Sequence, residues 1–68
     1  MGASNYEFRI RGRLSDPVLA RFDMLEPDPA RTDTILHGAV RDQTELCGVI
    51  ERVQSLGLEL LEVRRLPD

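Results

Sequence analysis

Sixty-eight residues are enough for one domain, residues 1–68, and leave no room for a second. Hydrophobic residues make up 41% of the chain and charged ones 31%, a globular rather than a disordered balance. The net charge of −3 gives no general attraction to nucleic acid, and a lone cysteine excludes an internal disulfide or a cysteine-rich zinc site. No apolar run reaches the length of a membrane span, and the amino terminus lacks the basic-then-apolar order of a signal peptide. One thiol is compatible with a reducing compartment and does not require one. A core this small also gains from contact with a partner.

After four residues expected to be flexible, "YEFRIRGRL" alternates with a period of two. Tyr6, Phe8, Ile10 and Leu14 share one parity, and Glu7, Arg9, Arg11 and Arg13 share the other. That is a strand with one buried and one wet face, with Gly12 marking a bulge or a close backbone approach. In "SDPVLARF", Ser15 is placed to cap a short helix and Pro17 suits its first turn. Val18, Leu19 and Phe22 would form its apolar face. Phe22 and Met24 begin a second short strand, and Pro27 and Pro29 end its pairing in an irregular hairpin loop. "TDTILHGAV" is a third strand, with Thr34, Leu36 and Val40 on one side, Ile35, His37 and Ala39 on the other, and Gly38 as a point of local curvature.

The segment "DQTELCGVIERVQSLG" carries both ends of a helix. Asp42 and Glu45 have capping-box spacing, Leu46, Val49, Ile50, Val53 and Leu56 form a stripe at three and four, and Gly57 suits the left-handed stop. "LELLEVRRL" then reads as a last strand, with Leu61 and Val63 toward the helices and Leu60, Glu62 and Arg64 opposite. A competing phase uses Leu58 and Leu60 instead, and a bulge would reconcile the two. A helix over residues 43–56 rises about 21 Å, close to the roughly 20–23 Å of six or seven strand residues. The pattern therefore predicts an α+β fold: a minimal ferredoxin-like βαββαβ sandwich, with two helices on one face of a four-stranded mixed sheet. An α+β meander is the alternative.

Few residues suggest chemistry. Cys47 stands near a helix start, where a thiol pKa can fall, but has neither a second cysteine nor a neighbouring base in sequence. It reads better as a small, semi-buried apolar residue. The scattered acids Asp23, Glu26, Asp28 and Asp33 lack the dense alternation of a calcium loop, so no metal is expected. No phosphate-loop or dinucleotide glycine pattern occurs, and no cofactor is expected. Arg9, Arg11 and Arg13, with Arg64, can line up beside His37 on the open sheet face and meet phosphate or carboxylate groups. Cross-strand pairing with Glu7 and Glu62 is the simpler reading. Tyr6 and Phe8 have the opposite parity, so the stacking platform of an RNA-binding sheet is missing and nucleic acid is not expected.

"YEFRIRGRL" together with "DQTELCGVIERVQSLGLELLEVRR" resembles a group of small, stand-alone uncharacterised proteins of actinobacteria. The resemblance covers nearly the whole chain. It implies a recurring compact domain in a bacterial cytoplasm and adds no catalytic residue. The expected function is a non-enzymatic interaction or accessory module, homodimeric through the open face or an edge strand, with Ile35, Leu60 and Glu62 at the interface. An unidentified protein is the other partner considered. One alternative is a regulatory domain binding a small anion or metabolite through Arg9, Arg11, His37 and Arg64. The other is a small dimeric ferredoxin-like enzyme with a pocket near His37.

Overall fold

The computed structural model describes residues 3–28 and 32–67. The elements are β1 (Ser4–Ile10), α1 (Asp16–Leu19) running into a 3-10 turn (Ala20–Phe22), β2 (Glu26–Pro27), β3 (Thr34–Val40), α2 (Gln43–Ser55) and β4 (Leu60–Arg65). The fold is α+β, a four-stranded sheet with two helices, in the order β2-β3-β1-β4. Every neighbouring pair is antiparallel, which corrects the expected mixed sheet. Each helical crossover does join parallel strands, β1 with β2 and β3 with β4. Those strands are never neighbours, because β1 and β3 lie side by side in the centre.

The strand parity read from β1 holds. Phe8 and Ile10 have no exposed surface, and Tyr6 and Leu14 pack partly buried beside them. Phe8 stands opposite Leu36 and Ser4 opposite Val40, so both strands present their apolar residues to one side. Phe22 of the 3-10 turn, Leu25, and Val49 and Val53 of α2 complete the same cluster. The other face of the sheet carries the alternate residues of the same strands. Ser4 belongs to β1 rather than to a flexible terminus, and residues 1 and 2 lie outside the described residues.

The two helices differ in how they are held. At α2, Oδ1 of Asp42 accepts the Glu45 amide at 2.8 Å, as capping spacing requires. Glu45 reaches back one residue further than a capping box, its Oε1 accepting the Arg41 amide at 2.9 Å. Its Oε2 accepts from Nε and Nη2 of Arg41 at 3.1 and 2.9 Å. These bonds, the backbone one first, hold the Glu45 carboxyl below its ordinary range. At the other end, the Leu58 amide donates to the Val53 carbonyl and the Gly57 amide to that of Gln54, with Gly57 at φ 73°. This is a Schellman stop, and its customary apolar contact is made by Val53 and Leu58 in the core. By contrast, α1 spans four residues and Ser15 makes no side-chain cap bond. Arg52 of α2 steadies this region, its Nη1 donating to the Arg21 carbonyl at 2.7 Å.

The expected strand at Phe22 and Met24 is instead the 3-10 turn and the bend after it, and strand pairing begins at Glu26. Phe22 is buried, so the core claims it in a conformation that strand alternation does not describe. Pro27 pairs opposite Leu36 rather than ending the pairing, which proline tolerates on an edge strand. Of the predicted hairpin loop, residues 29–31 lie outside the described residues. The bend after the 3-10 turn explains Gly38, which stands opposite Tyr6 on the helix side of β3. A Cβ there would lie 2.8 Å from Leu25 Cδ2, 3.1 Å from the Met24 carbonyl and 3.3 Å from Leu25 Cα. Gly38 therefore admits a neighbouring chain rather than simply curving a strand.

At the end of β1, Gly12 takes φ 79° and the chain turns back over β3. Thr34 secures the turn: its hydroxyl donates to the Gly12 carbonyl at 2.7 Å and accepts the Leu14 amide at 3.1 Å. Asp33 Oδ1 accepts the Gly12 amide at 3.1 Å. Thr34 is the one buried polar residue among the described residues, and it is satisfied as both donor and acceptor.

Candidate interaction face

The ladder register gives the open face its rows. Glu26, His37, Glu7 and Arg64 lie opposite one another in turn across β2, β3, β1 and β4. The next row runs Ile35, Arg9 and Glu62 across β3, β1 and β4, and the Asp28 amide donates to the Ile35 carbonyl at 2.8 Å. Four residues expected on this side (Arg9, His37, Glu62 and Arg64) are thus adjacent. Arg11 lies beyond the end of β1, where its amide donates to the Glu59 carbonyl and its Nε pairs with Glu59 at 2.9 Å.

The arginines are not a uniform positive stripe. Arg64 Nη2 donates to Glu7 Oε1 at 3.1 Å, the cross-strand pairing that the alternating charges suggested. Arg11 is held by Glu59 in an exposed pair. Arg9 and His37 make no ion pair or hydrogen bond through their side chains among the described residues, although carboxylates stand in neighbouring register positions. Among the described residues the face therefore alternates in sign, and Arg9 is its uncommitted cationic group.

The apolar residues expected at an interface are placed differently from expectation. Between Arg9 and Ile10 the β1–β4 register shifts: Arg9 stands opposite Glu62, but Ile10 stands opposite Leu60. Leu61 is the extra residue of a bulge. Leu60 and Leu58 consequently pack on the core, which corrects the phase that turned Leu60 to the open side. Strand alternation cannot reveal such a slip, although two competing apolar phases in "LELLEV" were its trace. Val63 shares its side with Phe8, as expected, yet at the sheet edge it stays 36% exposed. Ile35 lies on the open side and outside the core cluster but is only 6% exposed, so it has little apolar surface to offer a partner.

The remaining chemical candidates do not converge. Cys47 is exposed on α2, not semi-buried, while His37 is on the opposite face of the sheet. The sheet separates them, so they cannot act as nucleophile and base. Among the described residues, no three histidine, cysteine, aspartate or glutamate side chains are grouped to hold a metal. A hollow of about 280 Å³ at one end of the sheet is lined by Arg13, Leu14, Leu19, Pro27, Asp28 and Asp33, among others, and neither His37 nor Cys47 borders it. No helix among the described residues is long and apolar enough to cross a membrane.

A family model described as a domain of unknown function, DUF8691, matches residues 5–64. The chain belongs to this family. The match runs from β1 into β4, so the family spans the sheet, both helices and the alternating open face. It bears out the resemblance to a small uncharacterised family. No curated protein and no solved structure matches the chain.

Proposed function

We propose that this member of the family is a non-enzymatic interaction module of ferredoxin-like arrangement that works as a homodimer in the cytoplasm. The strand order, read from the other edge as β4-β1-β3-β2, supports the ferredoxin-like reading. The observation that carries the dimer is the asymmetry of the sheet. One face is closed by the core cluster, whereas the other presents charged residues, and the sheet ends at the six-residue edge strand β4, where Val63 is exposed on the helix side. A free edge of that length is a template for another strand unless it is blocked. Between the two surfaces expected to make the contact, the edge is favoured, because Leu60 is committed to the core and Ile35 is already buried.

The separation of Cys47 from His37 supports a non-enzymatic role, and an exposed free thiol suits a reducing compartment. A regulatory domain that captures a small anion is the second reading, and the uncommitted Arg9 beside His37 favours it. Light scattering over a concentration series tests the first reading, with an expected mass of twice 7.7 kDa. A mass of 7.7 kDa throughout the series, with saturable anion binding lost in Arg9→Ala, would replace it with the second.

A further inference from the structure

We infer that two copies of the chain join β4 to β4 about a two-fold axis through Val63, making one continuous eight-stranded antiparallel sheet. The inference rests on the homodimer reading and adds to it the surface, the register and the residues that select it. The two ends of the four-stranded sheet differ. β2 is two residues long and one of them is Pro27, which has no amide to donate. β4 is six residues long and contains no proline.

Backbone geometry fixes which groups of β4 are available. In an antiparallel ladder, hydrogen-bonded pairs alternate with non-bonded pairs. The Leu66 amide donates to the Asn5 carbonyl at 2.8 Å, so Glu7/Arg64 and Arg9/Glu62, at steps of two, are also bonded pairs. The amide and carbonyl groups of Glu62 and Arg64 are therefore spent on β1. Those of Val63 and Arg65 point outward to the open edge.

Centring the contact on Val63 brings two such outward-facing residues together as a bonded pair. Their side chains meet on the helix side, where each is 36% exposed in the isolated chain. One step either way, Glu62 stands opposite Arg64 of the second copy, and Arg64 opposite its Glu62. Both pairs lie on the open face, because Glu62 and Arg64 already oppose Arg9 and Glu7 there. The row across the seam becomes Arg9, Glu62, then Arg64 and Glu7 of the second copy, with alternating sign throughout.

Neighbouring registers lack this match. Centring on Glu62 or Arg64 leaves the outward-facing groups able to pair but sets like charges face to face at the centre of the seam. Centring on Arg65 opposes two arginines and places Val63 against Pro67. Like charges directly opposite destabilise a strand pair, and opposite charges stabilise it. Among the registers that the backbone direction permits, the charge pattern thus selects the one centred on Val63.

The test uses two single charge reversals of the full chain, E62R and R64E. Each alone faces its own kind across the seam in both pairs, so each homodimer is expected to be on the order of ten-fold or more weaker. Each should have a mass of 7.7 kDa at concentrations where the wild type has twice that mass. Mixed in equal amounts, the two variants form opposite-charge pairs at both positions, and the doubled mass should return. V63D, which leaves both ion pairs in place, is expected to dissociate the dimer as well, and guards against a charge reversal that fails to fold. A monomeric wild type would overturn both this inference and the homodimer reading. A dimeric wild type with V63D and the folded charge-reversed variants equally dimeric would overturn the β4 seam alone. Variants that stay monomeric when mixed would overturn the register.

Discussion

On β1, Phe8 and Ile10 have no exposed surface, while Glu7 and Arg9, each one residue away, stand on the open side of the sheet. The same backbone thus belongs to two different energetic regimes. On the helix side, tightly packed apolar groups cannot be removed without leaving a cavity. On the open side, ion pairs such as Arg64–Glu7 remain in contact with water, where attraction is offset by solvation and side-chain entropy. The comparison shows that the covered face makes the fold and that the open face and its edge are free to change without unfolding it. A surface with little influence on stability is the one through which association can be tuned.

The comparison breaks first, if it breaks, at Phe8. Phe8→Ala is expected to cost about 3–5 kcal/mol, comparable with the entire stability of roughly 3–10 kcal/mol for a chain of this length. The variant should therefore show no cooperative transition in urea. A retained sharp transition would mean that the core lies elsewhere. Gly38→Ala probes the same side through the backbone. Its Cβ must displace the Met24–Leu25 chain, so a loss of about 1–3 kcal/mol in denaturant unfolding is expected, although alanine is otherwise the better strand residue.

The helix layer can then be loosened from its end. Asp42→Ala removes the acceptor for the Glu45 amide and should cost about 1 kcal/mol. Acid acts at the same place. Because the Arg41 amide and guanidinium lower the Glu45 pKa in the folded chain, the resulting stabilisation is complete above the unfolded value of about 4.3. It fades as pH falls below that value and through the folded one. Urea midpoints measured from pH 6 to 2.5 should fall in that window, and less so in Glu45→Gln. The smallest effect belongs to the open face: Arg64→Ala should change stability by about 0.2–1 kcal/mol, and by less still in high salt. A loss as large as that of Gly38→Ala would remove the distinction between the two faces.

Much of the covered face was legible because its signals are local. The parity of Tyr6, Phe8 and Ile10, the two sides of β3, and the Asp42, Glu45 and Gly57 boundaries of α2 all depend on residues a few positions apart. The open-face placement of Arg9, His37, Glu62 and Arg64 was legible for the same reason, because parity sorts residues onto faces before strand order is known. The failures came where contacts distant in sequence override local pattern. Phe22 leaves the expected strand for a 3-10 turn because the core needs its ring. Gly38 answers to Leu25 and Met24, which reach it from another part of the chain.

Sequence by itself determined which residues are apolar on each strand, where α2 starts and stops, and which charges share the open face. Those properties follow from the periods of strand and helix and from hydrogen bonds closed within a turn or two. The tertiary structure decided against a mixed sheet: with β3 beside β1 in the centre, each pair of neighbouring strands is antiparallel. It also decided the bulge at Leu61, which turns Leu60 inward. A one-residue slip reverses every side chain beyond it, and only the partner strand fixes where the slip occurs.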